Sequence, residues 1–255
     1  MDDHRQQVQS RFGEFAQNYV ESKVHSSSYS LDHLIELLDP QPGQIALDIA
    51  TGGGHVALGL ARRGLSVIAS DLTPRMLGAA RAYIQKEGFA IHYAQIEGSA
   101  LPFAANSLDR VTCRIAAHHF PDVAGFVREC ARVVRPGGMV GLVDQVGPGH
   151  REANRYVNAY EKLRDPSHNW EYSEQDWNDF FTSADLTIRH QETARNRLNF
   201  KWWTDMQKVD PDTVLRLRVM LRQAPREVAA WLEPDLHDSP DDSFSLWQLI
   251  LIGVK

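Results

Sequence analysis

The sequence predicts a doubly wound α/β fold on a mostly parallel, seven-stranded sheet, with helices before it and a helical layer near its end. Three observations carry this. Short apolar strands alternate with amphipathic helices from residue 45 to residue 144, the rhythm of βαβ units with right-handed crossovers. The first strand, Ile45 to Ile49, has few positions able to face water, as a central parallel strand covered on both faces requires. It runs into Thr51-Gly52-Gly53-Gly54 and then a helix from Val56 to Arg63. Glycines let the backbone turn sharply and approach a ligand closely, and the helix offers its positive N-terminal end.

Residues 5–38 read as helix in two pieces. Phe12, Phe15 and Tyr19 share one helical face, and Leu31, Leu34, Ile35 and Leu38 another. Pro40 and Pro42 end that part. After strand one and its helix, strand two is Ser66 to Ser70, ending at Asp71. Thr73-Pro74 opens the next helix, with proline in the first turn, where its missing N–H costs nothing. That helix runs to Lys86 and Gly88 closes it. Strand three is Ile91 to Ala94. Strand four, Arg110 to Ile115, follows the turn Ala105-Asn106-Ser107. Val123 to Val134 is an amphipathic helix stopped by Pro136-Gly137-Gly138, and strand five is Met139 to Asp144. Past residue 146 the rhythm changes. Arg151 to Arg164 and Ser173 to Ala184 read as helices, and Leu186 to Phe200 as extended. Residues 201–233 return to helix, with Val214, Leu217, Leu221, Val228 and Trp231 near helical spacing. Phe244 to Val254 is a final strand, and Asp238 to Asp242 is the expected flexible linker. The expected organisation is one structural unit in three parts. These are an N-terminal helical cap (1–42), a ligand-binding core (43–146), and the rest of the sheet (147–255) with a helical lid at 201–240.

Composition narrows the function. The 255 residues are 43% hydrophobic and 24% charged, with a formal net charge of -6. An acidic chain is a poor general binder of phosphate backbones, so no nucleic-acid partner is expected. The four arginines Arg216, Arg218, Arg222 and Arg226 read as a solvated helix face. Cys113 and Cys130 have neither metal-ligand nor disulfide spacing, so no metal is expected and the thiols fit a reduced, cytoplasmic compartment. The N-terminus has no apolar signal region, and no apolar stretch is long enough to span a membrane. Oligomeric state stays open, a homodimer included.

Several residues carry chemistry. Asp71 stands 19 residues after Gly52, where an acidic group reaches a ribose diol in dinucleotide folds; capping the next helix is its other reading. Asp48, at the end of a buried strand, needs partners. It either braces the loop or faces the positive end of a ligand. His118-His119 follows strand four at the carboxyl edge of the sheet, where ligands bind in open α/β folds. His119 is the candidate base, against a packing or capping role for the pair. Trp170, Tyr172, Trp177, Trp202 and Trp203 fall in the lid region, where they line an apolar pocket or pack the lid down.

The glycine spacing departs from G-x-G-x-x-G. Asp48-Ile49-Ala50-Thr51-Gly52-Gly53-Gly54 resembles the first motif, D/E-x-G-x-G-x-G, of the class I S-adenosylmethionine-dependent methyltransferases, with Ala50 in place of the first glycine. Glu97-Gly98-Ser99-Ala100-Leu101-Pro102-Phe103 resembles the family's adenine-side motif, with Glu97 where most relatives carry aspartate. Asn106-Ser107-Leu108-Asp109-Arg110-Val111 and Arg132-Val133-Val134-Arg135-Pro136-Gly137-Gly138 resemble its segments before strands four and five. The four motifs cover residues 45–144, and the D-x-A-T-G opening is similar to the quinone-biosynthesis-like group of small-molecule methyltransferases. The resemblance implies a Rossmann-like methyltransferase fold. It also implies S-adenosyl-L-methionine as cofactor, leaving as S-adenosyl-L-homocysteine. The implied cofactor-binding residues are Asp48, Ala50, Thr51, Gly52, Asp71, Leu72, Glu97, Gly98 and Ser99, with Arg114, Ile115 and Ala116 beside the methionine part. Phe12 and Tyr19 resemble the aromatic segment that closes over the cofactor.

The expected activity is methyl transfer to a small, partly apolar or aromatic acceptor by in-line displacement. Proximity and orientation supply on the order of 7–11 kcal/mol in favourable cases, and a base is needed only if the acceptor must lose a proton. The nucleophile (oxygen, carbon or nitrogen) is not specified. Two rivals stay open: a divergent reaction at a retained cofactor site, such as cyclisation or dehalogenation, and a non-catalytic S-adenosylmethionine-binding protein.

Overall fold

A computed structural model describes residues 2–21 and 29–255, with the side chains of 2 and 14–21 outside the described set. Two helices, α1 (Asp2–Glu21) and α2 (Tyr29–Leu37), precede the sheet. There follow β1 (Ile45–Ile49), α3 (His55–Arg62), β2 (Ser66–Asp71), α4 (Pro74–Lys86), β3 (His92–Gln95), β4 (Leu108–Arg114), α5 (Val123–Val133) and β5 (Val134–Gln145). The C-terminal part comprises α6 (Arg151–Arg164), α7 (Glu174–Ser183), β6 (Thr187–Asn199), α8 (Phe200–Asp205), α9 (Pro211–Arg222), α10 (Arg226–Leu232) and β7 (Ser243–Val254).

The seven strands order as β3-β2-β1-β4-β5-β7-β6. The first five are parallel, and β7 runs antiparallel to both β5 and β6. Successive strand residues point to opposite faces, and β1 shows the consequence. Leu47 and Ile49 join one core with Phe126, Val127 and Cys130 of α5 and Trp177 and Phe181 of α7. Ala46 joins the opposite core with Leu34 and Ile35 of α2 and Leu58 of α3. Both faces are covered, which explains the near-continuous apolar run. The strand order reverses between β1 and β4, so helices leave on opposite faces there. A crevice opens at the carboxyl ends of these strands.

A third core, Val157, Tyr160, Trp203, Leu217, Leu221, Val228, Leu232 and Phe244, joins α6 and α8–α10 to β7. Tyr160 and Trp203 stack at 5.2 Å. The expected helix over 201–233 is three helices, because Pro211 and Pro225 restart the chain. Strand five starts five residues before the expected Met139. β5 leaves α5 at Val134, and the register with β4 shifts to absorb Arg135 to Gly138; Arg135 ion-pairs with Asp109 there. The expected linker is a correction. Asp242 is buried, accepts from the His237 and Ser239 amides and pairs with Arg218 of α9. Arg222 pairs with Asp238, so part of the basic helix face is neutralised within the fold. No helix among the described residues is long and apolar enough to cross a membrane.

Candidate active site

Between β1 and α3 the backbone is left-handed at Ala50 (φ 51°), Gly52 (φ 54°) and Gly54 (φ 85°). That conformation costs an L side chain about 1–2 kcal/mol. Ala50 therefore sits where a glycine is the unstrained choice. Gly54 is needed on a second count, since a Cβ there would stand 2.9 Å from Ile84 Cδ1 and 3.1 Å from Ala80 Cβ. The turn is held by Thr51 N–H donating to Ser70 O and Gly54 N–H to Thr51 O, both at 2.8 Å.

This turn opens on a cavity of about 130 Å³ at the carboxyl ends of the central strands. Asp48, Ala50, Thr51, Gly52, Asp71, Leu72, Glu97, Gly98, Ser99, Arg114, Ile115, Ala116 and His119 all line it, as does Phe12. Of the residues expected at the site, Tyr19 alone cannot be placed, because its side chain lies outside the described set.

Asp71 ties the glycine turn to the start of the next helix. Its Oδ2 accepts from Gly52 N–H at 3.1 Å, tying the glycine turn to β2, and its Oδ1 accepts from Thr73 N–H at 2.8 Å at the entrance to α4. Burial raises its pKa in spite of these donors. Asp48 is buried and braces the loop. Thr51 Oγ1 donates to it at 2.6 Å and Thr112 Oγ1 at 2.8 Å. Burial pushes its carboxyl up to about 6, against the two hydroxyls and the nearby Arg114. Burial also pulls the Arg114 guanidinium down to about 10, with Asp48 opposing. Acidic groups thus stand at one end of the cavity (Asp71, Glu97) and a cation beside Asp48 at the other.

Helix α1 lies across the opening, bringing His4, Arg5 and Val8 to the cavity besides the expected Phe12. Arg5 ion-pairs with Glu97 at 2.6 Å, Gln9 donates to Leu72 O at 2.9 Å, and His4 Nε2 donates to His119 O at 2.8 Å. The Arg5–Glu97 pair is part-exposed, 39% and 26%, so it contributes no more than about 1 kcal/mol.

His118 and His119 form a short 3-10 turn after β4, and both are buried. His119 Nδ1–H donates to Ser167 O at 2.9 Å, and its ring meets Phe12 edge-on at 4.9 Å. Burial and the neighbouring His118 push its pKa down to about 4. His118 Nδ1 lies 2.6 Å from Asp144 Oδ1 at the end of β5, and its backbone N–H donates to Asp144 Oδ2 at 2.8 Å. Burial disfavours its charged form, but Asp144, together with the more distant Glu161 and Asp165, outweighs burial and raises the pKa.

A second chamber of about 90 Å³ adjoins the first, sharing Phe12, Ile115 and His119 with it. Its walls add His118, Gln145, Glu161, Arg164, Asp165, His168, Asn196, Leu198, Trp202, Trp203, Met206, Gln207 and Gln248. Ile115, on the shared wall, has φ 53°, an outlier for a β-branched residue. The aromatic residues expected as one group divide. Trp202 and Trp203 line this chamber. Tyr172 and Trp177 pack with Phe180 against the first core, and Trp170 N–H donates to His118 O. Apart from both cavities, His33, His190 and Glu192 bring ligand atoms within 4.8 Å of one another. Sequence spacing hides this cluster because it joins α2 to β6.

A family profile described as a methyltransferase domain matches residues 47–142, from β1 into β5. YcgJ of Bacillus subtilis (strain 168), described as an uncharacterized methyltransferase, is 30% identical over 96% of this chain and 97% of its own length. The chain belongs to the class I S-adenosylmethionine-dependent methyltransferases. Its methyltransferase fold is shared with the crystal structure of YcgJ, at a TM-score of 0.85 over 89% of this chain and 98% of that one. A Bacillus halodurans C-125 protein is equally similar, with a TM-score of 0.85, 31% identity and coverage of 89% and 99%. The ubiquinone biosynthesis O-methyltransferase of Stutzerimonas stutzeri (strain A1501) is 37% identical over 38% of this chain and 43% of its own. The family profile spans β1 to β5, while the second chamber also draws on α6, β6, β7 and α8.

Proposed function

We propose that the first cavity binds S-adenosyl-L-methionine and that the second takes a small-molecule methyl acceptor. The observation that carries the reading is the joining of the two chambers at a wall of Phe12, Ile115 and His119. The donor set fits the cofactor's chemistry. Asp71 is an acceptor for a ribose diol, and Glu97 for an exocyclic amine once it shares or releases Arg5. Arg114 is a cation for the methionine carboxylate. The bound cofactor supplies a methyl group activated on a sulfonium.

The chain's own residues do the rest. The left-handed turn at Ala50 to Gly54 lets the backbone approach the cofactor. Asp48 holds Thr51 in place and keeps negative charge near the cofactor's ammonium group. Phe12 and α1 close the opening, and α8–α10 act as a lid over the acceptor, excluding water. Orientation of the acceptor across the shared wall is the main catalytic contribution. Catalysis at this site is favoured over mere binding because the second chamber is built of buried polar groups.

Calorimetric titration tests this. S-adenosylmethionine and S-adenosylhomocysteine are expected to bind in the micromolar range, and NAD not at all. Asp71→Asn keeps one acceptor for the loop and should still fold. It should weaken S-adenosylhomocysteine binding by about 1.5–3 kcal/mol, the loss of a charged hydrogen-bond acceptor. Unchanged affinity in a folded variant removes the ribose assignment, and binding of NAD alone removes the function.

A further inference from the structure

We propose that His118, oriented by Asp144, is the general base of this enzyme, and that the second chamber accepts a hydroxyl-bearing small molecule with an apolar body. The inference rests on the reading of the first cavity as the cofactor site and adds the base and the acceptor class.

The geometry of the pair is that of an oriented imidazole. Asp144 is fully buried and receives both the ring Nδ1 and the backbone N–H of His118. A carboxylate at Nδ1 fixes the tautomer with the proton on Nδ1 and leaves the Nε2 lone pair available. Nε2 has no hydrogen-bond partner among the described residues, and His118 lines the second chamber. His119 differs. Its Nδ1–H is spent on a backbone carbonyl, no carboxylate among the described residues bonds its ring, and its charged form is disfavoured. The base therefore falls to His118, with His119 as part of the wall between cofactor and acceptor.

The acceptor class follows from what the walls lack. Glu161 Oε1 and Gln145 Oε1 are buried with no hydrogen-bond partner, and both residues line the chamber. Buried acceptors of this kind are almost always satisfied, so an occupant that donates hydrogen bonds suits these walls, and Glu161, whose carboxyl pKa burial raises, can donate to its oxygen in turn. Leu198, Trp202 and Met206 supply an apolar surface for its body. In the reaction the acceptor O–H gives its proton to His118 Nε2 as the new oxygen–carbon bond forms. The sulfur–carbon bond breaks with its electron pair remaining on sulfur. The products are a methyl ether, a neutral thioether and an imidazolium, which then returns its proton to solvent.

The charged and titratable groups facing His118 are His119 beside it, Asp144 from β5, Glu161, Arg164 and Asp165 from α6, and His168 from the following loop. The test is nitrogen-15 histidine NMR on the full chain saturated with S-adenosylhomocysteine, with catechol as the hydroxyl probe and benzylamine as control. The expected result is an Nδ1–H tautomer for His118 with titration above the free-histidine range, and resonances shifted by catechol more than by benzylamine. Asp144→Asn should lower that titration while the S-adenosylhomocysteine Kd stays within about twofold. An Nε2–H tautomer overturns the proposal, as does His118 titration unmoved by Asp144→Asn. So does indifference to catechol, or a stronger response to benzylamine. Failure of S-adenosylhomocysteine to bind at all refutes the cofactor assignment instead, so the two failures are distinguishable.

Discussion

Asp48 shows how a single buried carboxylate sets both geometry and pH response. Two threonine hydroxyls from different elements hold it, yet burial keeps its folded pKa near 6 against 3.8 unfolded. A raised carboxyl pKa means the folded state holds the proton longer than the unfolded chain. The sign follows: stability from this group is greatest below about pH 4 and declines as pH rises to about 6. Comparing Asp48→Asn with the parent by urea denaturation at several pH values isolates it. The variant's stability relative to the parent is expected to rise across this window, by up to ~3 kcal/mol for two pKa units. A flat difference would remove the buried-charge account. Asp48, Asp71 and the glycine turn were legible in the sequence because they are contiguous or tied to a motif of constant spacing. The partnership of His118 with Asp144 was not. It needs the knowledge that β4 and β5 are neighbours ending at one edge, and no local pattern encodes that.

Elements were legible where periodicity and punctuation agree. Proline at the head of α4, glycine after it and the apolar stripe of α5 were read within a residue or two. The misreadings have physical causes. Pro136-Gly137-Gly138 looks like a turn ending a helix, but β5 incorporates it as an irregularity against β4. Asp238 to Asp242 is polar enough to pass for a linker, but Arg218 reaches back to bury Asp242. Loop chemistry alone does not reveal a distant ion pair. The position of α3 against α4 depends on Gly54, where the backbone is left-handed and Ile84 leaves no room for a Cβ. Gly54→Ala is therefore expected to cost about 2–5 kcal/mol, summing backbone strain and overpacking. A drop in the urea midpoint with unchanged m-value is the readout. A midpoint within error of the parent would show that the two helices adjust freely.

At the scale of the whole molecule, the parallel part of the sheet follows from the alternating pattern, whereas the strand order and the antiparallel β7 emerge only in the structure. The sequence also withheld the second chamber. Its walls come from the β4 end, α6, β6, α8 and β7, residues far apart in the chain that meet only once the sheet and third core have formed. Because the cofactor would bind the folded sheet edge and not the unfolded chain, S-adenosylhomocysteine at about 100 times its Kd should stabilise by ~2.7 kcal/mol. For a chain of this size that raises Tm by about 5–10 °C, and NAD at the same concentration should leave Tm unchanged. The most direct measurement is a crystal structure of the S-adenosylhomocysteine complex. The expected density places the ribose diol at Asp71, the adenine beside Glu97 to Ser99, and the sulfur at the Phe12–Ile115–His119 wall, open toward His118. Ligand lying outside this cavity, or its sulfur turned away from the second chamber, would contradict the assignment of the two cavities to cofactor and acceptor.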